Sequence, residues 1–201
     1  MLGGYTGSGK TRLLQQLAEQ GETIIDLEKM AGHKGSAFGN LDRHIQPKQE
    51  MFENELAMAL ASAGSAALWV EDESQRIGLV NLPGAFVRRM RESKLIFIDI
   101  PFERRLEYIL AEYGSCSHES LEAAIIRIKK RLGGLNTKNA IEYLKENNLK
   151  ECFKILLVYY DKLYKKALLE NNHAQRQTIK IESNTIDPVQ NASLLLPQQI
   201  A

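Results

Sequence analysis

Hydrophobic and polar positions along this chain fall into two regimes. Up to about residue 100, short apolar runs alternate with helical stretches. Leu13, Leu14 and Leu17 recur at helical spacing, and Gly21 ends that stretch. Thr23–Leu27 is β-rich and apolar and predicts a strand. Gly32 to Gln46 is polar and glycine-containing, hence a loop. Pro47 opens a helix with Phe52, Leu56, Leu60 and Ala63 on one face. Ala67–Val70 predicts a short buried strand, Pro83–Ser93 a helix, and Leu95–Ile100 a second buried strand. Strands alternating with helices predict an α/β, three-layer fold with a mostly parallel sheet, whose ligands sit at the carboxyl ends of the strands. From Pro101 to about Asn172 the pattern is only helical. Its stripes are Leu106, Ile109, Leu110 and Tyr113, then Leu121, Ile125, Ile128 and Leu132, then a third running from Phe153 to Tyr164. Thr178–Ile181 predicts a last strand. Residues after Asp187, with Pro188 and Pro197, read as a loose tail. The expected organisation is an α/β core over 1–100, a helical lid or extension over 101–175, a returning strand over 176–187 and a tail over 188–201.

Composition narrows the class without naming a function. The 201 residues are 44% hydrophobic, 25% charged and 7% aromatic, as in an ordinary globular domain. Disordered, collagenous and disulfide-scaffold chains are excluded. No apolar run approaches the ~20 residues that span a bilayer, and the opening residues carry no secretory pattern. Cys116 and Cys152 stand apart, with no Cys-x-x-Cys pairing. A cytoplasmic protein with no membrane partner is the expectation. The net charge of +1 disfavours a strongly basic nucleic-acid binder but hides local clusters. Arg88, Arg89, Arg91, Lys94, Arg104 and Arg105 form one cluster; Arg127, Lys129, Lys130 and Arg131 form another. Three readings compete for them: a lid that clamps phosphates, a surface for an RNA backbone, or solvated faces paired with Glu92, Glu103 and Glu107.

The sharpest motif is Gly4–Thr11, which matches G-x-x-x-x-G-K-[ST]. Gly4, Gly7 and Gly9 permit backbone N–H groups to point inward at an anion, with Thr6 and Ser8 between them. The helix that follows aims its positive end at the same place. Lys10 brings a point charge to the outer phosphates, and the Thr11 hydroxyl is placed for Mg²⁺. Only Met1 and Leu2 precede the loop, where a buried strand of about five residues is usual. The chain is therefore expected to be a piece of a longer protein or half of a split one.

Acids just after a buried strand are where a second carboxylate would hold Mg²⁺. Glu71 and Asp72 satisfy this, and Asp26 and Glu28 are placed equivalently; acids at strand ends also simply cap helices. Asp72 is the expected metal ligand beside Thr11. Lys10, His33 and Glu71 are the candidate catalytic groups. Lys34, Ser36, Arg76, Arg104 and Arg105 are the candidate substrate contacts. His33 and His44 have no third metal partner at sensible spacing, so zinc is not expected.

Several strings together resemble one family. They are Gly3–Thr11, Asp26-Leu27-Glu28 with Ala31, His33–Gly39, Gln46-Pro47, Phe52-Glu53, Glu71–Ser74 with Arg76-Ile77-Gly78, Arg131–Gly134, and Tyr159-Tyr160-Asp161 with Tyr164. The chain resembles the C-terminal P-loop domain of tRNA 2-selenouridine synthases, densely from Gly3 to about Tyr113 and more loosely to about Tyr164. The His33–Gly39 string is its most specific part; at its second place the family more often has Arg, and Lys34 keeps the charge. The resemblance implies action on the wobble uridine of certain tRNAs. The family geranylates 2-thiouridine with geranyl diphosphate, then exchanges the geranylthio group for selenium from selenophosphate. The loop would then hold geranyl diphosphate, or ATP or GTP, with Mg²⁺. The family's N-terminal rhodanese-like domain, whose Cys handles the chalcogen, has no counterpart in these residues, and that role passes to neither Cys116 nor Cys152. An ATP-dependent small-molecule kinase and a nucleotide-gated RNA-binding module remain as alternatives.

Overall fold

The computed structural model describes residues 1–36, 38, 45–170 and 176–200, with side chains from 168 to 170 and from 198 to 200 outside the description. The expected parallel sheet is present. Strand β1 (Leu2–Gly4) pairs in parallel with β6 (Leu95–Asp99), and β6 with β7 (Thr178–Glu182). Strand β2 (Thr23–Ile25) pairs in parallel with β3 (Leu68–Val70). A parallel bridge from Leu2 to Glu71, with the Asp72 N–H donating to the Leu2 carbonyl at 2.9 Å, joins the two ladders. The strand order is therefore β2-β3-β1-β6-β7. Helix α1 (Lys10–Glu19) leaves β1 toward β2, whereas the chain reaches β6 on the other side. The crevice between β1 and β3 is thus the topological switch point.

Apolar periodicity builds a core on each face. Leu13, Leu14 and Leu17 of α1 pack with Trp69, Ile96 and Ile98 on one face. On the other, Ile25 and Val70 meet Phe52 and Leu56 of α3 (Gln49–Ala63) and Val87 and Met90 of α4 (Gly84–Glu92). Only the first half of α3 is buried; Leu60 is 36% exposed, so the apolar face expected to run through Ala63 is covered only near its start. The polar run after β3 leads into a small antiparallel hairpin, β4 (Arg76–Ile77) with β5 (Val80–Asn81), that sequence pattern alone did not suggest.

The helical half forms its own core. Helices α5 (Phe102–Tyr113), α6 (His118–Leu132), α7 (Gly134–Lys145) and α8 (Leu149–Glu170) bury Leu106, Leu121, Ile125, Phe153 and Leu157 together, with Phe38 reaching in from the loop after α2 (Leu27–Ala31). Residues 188–200 are not a loose tail. They form α9 (Pro188–Ile200), whose Ala192 and Leu195 are fully buried with α1's leucines. Pro188 sits at the first helical position, where its missing N–H and fixed φ do no harm. Pro197 lies in the last turns, and burial of the apolar face outweighs its penalty.

Candidate functional site

The loop between β1 and α1 takes the shape its glycines allow. Gly9 has φ +73 and caps α1 without any side-chain hydrogen bond, so the first N–H groups of α1 stay open toward the crevice. A Cβ at Gly9 would stand 2.7 Å from Ile186. Lys10 Nζ donates to the Gly4 carbonyl at 3.0 Å, folding the cation back over its own loop. Gly4, Thr6, Gly7, Ser8, Gly9, Lys10 and Thr11 all line one cleft of about 810 Å³.

Three carboxylates converge opposite the loop. Asp26 caps α2 by accepting the Lys29 N–H at 2.9 Å. Two residues on, in the first turn of α2, Glu28 accepts from Thr11 Oγ1 at 3.1 Å. Glu71, at the end of β3, is fully buried, and both of its oxygens lack a hydrogen-bond donor. The chain then turns tightly, Glu73 N–H to Glu71 carbonyl at 2.9 Å, which returns Glu73 to the same side. One oxygen from each of Glu28, Glu71 and Glu73 lies within 4.8 Å of the others. Burial, and then the charge of the other carboxylates, pushes Glu71 up to about 8 and Glu28 and Glu73 up to about 7; Lys10 partly opposes this. Gly35, at φ +65, seals the group from the loop after α2: a Cβ there would stand 2.7 Å from Glu73 Oε2 and 3.1 Å from Glu28 Oε1. Gly35 of the His33–Gly39 string is thus favoured by its positive φ and by its close approach to the carboxylates.

A buried, donor-free carboxylate flanked by two more and a threonine hydroxyl is an all-oxygen donor set. It fits a hard divalent cation such as Mg²⁺. Asp72, the expected ligand, is committed elsewhere. It pairs with Arg176 Nη1 at 3.1 Å and accepts from Tyr164 Oη at 2.8 Å. Consecutive residues leaving a strand point to opposite sides, so Glu71 enters the carboxylate group and Asp72 faces a buried guanidinium. Glu28 and Glu73 take the place expected of Asp72.

The candidate substrate contacts separate in the same way. Lys34 and Ser36 line the cleft; Lys34 Nζ stands 3.8 Å from Glu112 and 5.6 Å from the centre of the Tyr113 ring. Arg105 is not a free lid cation. It is 3% exposed, forks onto Asp161 through two 2.8 Å bonds, and donates to the Thr6 and Ile100 carbonyls at 3.0 Å. Such a site cannot release its guanidinium to a substrate; it ties α8 to the phosphate loop. Arg104 is exposed and pairs with Glu107. Arg76 donates to the Gly78 carbonyl within the hairpin. Neither lines the cleft. His33 is not among the residues that line the cleft; its Nδ1 is buried and unpartnered, and burial and Arg127 hold its proton affinity down. It is not brought to the phosphate loop. His44 lies outside the described residues.

The helical half supplies the far wall: Tyr108 and Tyr113 of α5, Arg131 of α6, and Tyr159, Tyr160 and Tyr164 of α8. A small apolar recess of about 30 Å³ between Phe38, Ile109, Phe153 and Tyr160 opens beside Thr6 and Ser36. Sequence reasoning gave no role to Glu73, Asp161 or the tyrosines. A signal existed in α8, where Tyr160, Asp161 and Tyr164 interrupt an apolar helix at i, i+1 and i+4. Burial pushes the Cys152 thiol up to about 11, which leaves it an inert core residue.

The family model described as the tRNA 2-selenouridine synthase AAA domain matches residues 1–192. The chain is 35% identical over 195 residues to the tRNA 2-selenouridine synthase of Sulfurovum sp. (strain NBC37-1), an alignment covering 82% of this chain and 52% of that protein. It is 40% identical over 148 residues to that of Hydrogenovibrio crunogenus, covering 66% and 39%. With that of Bdellovibrio bacteriovorus it shares 33% over 213 residues, covering 85% and 55%. The chain thus spans about half the length, or less, of these curated relatives. The α/β architecture with its mostly parallel sheet is the P-loop NTPase-like fold that the sequence pattern predicts. The chain belongs to the tRNA 2-selenouridine synthase AAA domain family.

Proposed function

We propose that this chain is the P-loop domain of a tRNA-modifying transferase, which binds a prenyl diphosphate and a wobble-position 2-thiouridine in one cleft. The observation that carries the reading is the convergence of three features on that cleft: the phosphate loop, the buried carboxylate group and a wall of tyrosines. A diphosphate needs N–H dipoles and Lys10. A prenyl chain needs apolar and aromatic surface, which Tyr108, Ile109, Tyr113 and Leu163 of the same cleft supply. The relatives' name adds the RNA substrate.

In geranyl transfer, the sulfur at position 2 of the base attacks C1 of the geranyl group. The C1–O bond breaks, and diphosphate leaves with the bonding electrons; the base gives up its N3 proton. Negative charge grows on the leaving oxygens, where the open α1 N–H groups would meet it, with Lys10 exchanging the Gly4 carbonyl for the phosphate. Mg²⁺, held by Glu28, Glu71, Glu73 and Thr11, would neutralise part of the same charge. Lys34, held by Glu112 at the mouth, is within the lining that meets the outer phosphate. Selenation requires the chalcogen-handling Cys of a rhodanese-like domain, supplied by a partner region.

The test is incubation with 2-thiouridine tRNA, geranyl diphosphate and Mg²⁺, read by nucleoside mass spectrometry, with and without a rhodanese-domain protein. Geranylthiouridine is expected, and Lys10→Ala abolishes it. Tight, Lys10-dependent ATP binding with no prenyl diphosphate binding would instead make the chain an ATP-dependent kinase or a nucleotide-gated RNA binder.

A further inference from the structure

We propose that two arginine pairs on opposite walls of the cleft, Arg88 with Arg91 and Arg127 with Arg131, form the docking surface for the phosphate backbone of the RNA substrate. This rests on the reading above and adds which face of the domain meets the RNA.

The structure sorts the arginines by partner. Arg12 pairs with Glu112, Arg104 with Glu107, Arg105 with Asp161 and Arg176 with Asp72. Arg88 and Arg91 are exposed and, among the described residues, meet no carboxylate; even Glu92, four residues after Arg88, makes no ion pair with it. Three residues apart on α4, they share one side of that helix, and Arg91 borders the cleft beside Val87 and Met90. Arg127 and Arg131 are four apart on α6 and exposed. Arg131 borders the cleft from the other wall beside Tyr159, while Arg127 stands near His33, and neither meets a carboxylate among the described residues.

Guanidinium groups of one sign on both rims, with no acids to satisfy them, suit an anion long enough to span the mouth. The diphosphate alone is served deeper in, by Lys10 and the loop. Guanidinium forks match phosphate oxygens, and each phosphate neutralised releases counterions. Tyr108 and Tyr160 line the same cleft, Tyr108 beneath the Arg12 guanidinium at 5.2 Å and Tyr160 packed edge-on against Tyr159. An acidic peptide would use the same arginines; the tRNA in the relatives' name favours the RNA.

The test is fluorescence anisotropy with a labelled anticodon stem–loop RNA across a salt series. The variants are Arg88→Glu/Arg91→Glu and Arg127→Glu/Arg131→Glu. The control is Lys138→Glu/Lys154→Glu, which changes charge equally at residues paired with Glu142 and Glu151 away from the cleft. Each arginine variant is expected to bind about tenfold more weakly near 0.1 M salt and to lower the log–log salt slope by about 1.4. The control stays within about twofold of wild type. The glutamine versions of both pairs repeat the ranking and guard against a folding defect. Geranyl diphosphate binding, measured separately, is expected to weaken by less than RNA binding in every arginine variant and to be unchanged in the control. Arginine variants that bind RNA as wild type does overturn the surface and leave the proposed function standing. A wild-type chain that binds the diphosphate but no RNA, or binds poly-glutamate as tightly as RNA, also overturns it.

Discussion

Glu71 and Asp72 are neighbours in the chain and opposites in the fold. Glu71 turns into a group of three carboxylates, buried and without a donor, and its proton affinity rises to about 8. Asp72 turns the other way, onto Arg176 and Tyr164, which both donate to it. One region is left incomplete and the other is finished. A buried acid whose needs are met by the protein holds structure together; one whose needs are unmet marks where something else binds.

Replacing the incomplete acid should hurt function and spare the fold. Glu71→Gln is expected to slow Mg²⁺-dependent diphosphate release by roughly 1,000-fold, with the melting temperature unchanged or raised, because like-charge repulsion is relieved. Steady-state kinetics and thermal melts on one preparation check both halves. Replacing the finished acid should do the reverse. Asp72→Asn strands a guanidinium that is 2% exposed and should destabilise the chain by about 3 kcal/mol in urea titration, while diphosphate binding stays Mg²⁺-dependent.

The two regions should also respond differently to pH. Glu28, Glu71 and Glu73 must lose protons to hold a cation, and their affinities lie near 7 to 8. Mg²⁺ binding is therefore expected to strengthen by about tenfold or more from pH 6 to pH 8, as calorimetry would read. Without Mg²⁺, the folded chain holds protons above the ordinary carboxyl range that the unfolded chain releases. Stability should thus fall as pH rises from about 5 to 8 and recover on adding Mg²⁺. A Glu71→Gln chain that keeps the full pH dependence would assign the effect elsewhere. The smallest effect belongs to a pair that is finished but exposed: Arg104→Gln should change stability by less than about 0.5 kcal/mol, with tRNA modification unchanged.

The same contrast explains what was legible beforehand. The phosphate loop could be read because its function is written in consecutive residues and backbone conformation; Gly9, Lys10 and Thr11 stand where the pattern puts them. Glu28 and Glu71 were recognised as strand-end acids, but which acid completes the group was not, since alternation and the tight turn at Glu73 decide it. Arg104 and Arg105 look equivalent in sequence. One faces solvent and the other is locked onto Asp161, 56 residues later. Helix α9 was missed because two prolines and a weak polar pattern conceal a helix that packing against α1 and the sheet stabilises.

The sequence by itself determined the local chemistry: the alternating strands and helices, the anion-binding loop, and the family. Those depend on spacing over a few residues, where backbone geometry follows directly from residue type. Only the tertiary structure decided which acids meet, which arginines are spent on ion pairs and which remain for a ligand. Those outcomes depend on contacts between residues far apart in the chain, and on burial, which removes the water that would otherwise satisfy each charge.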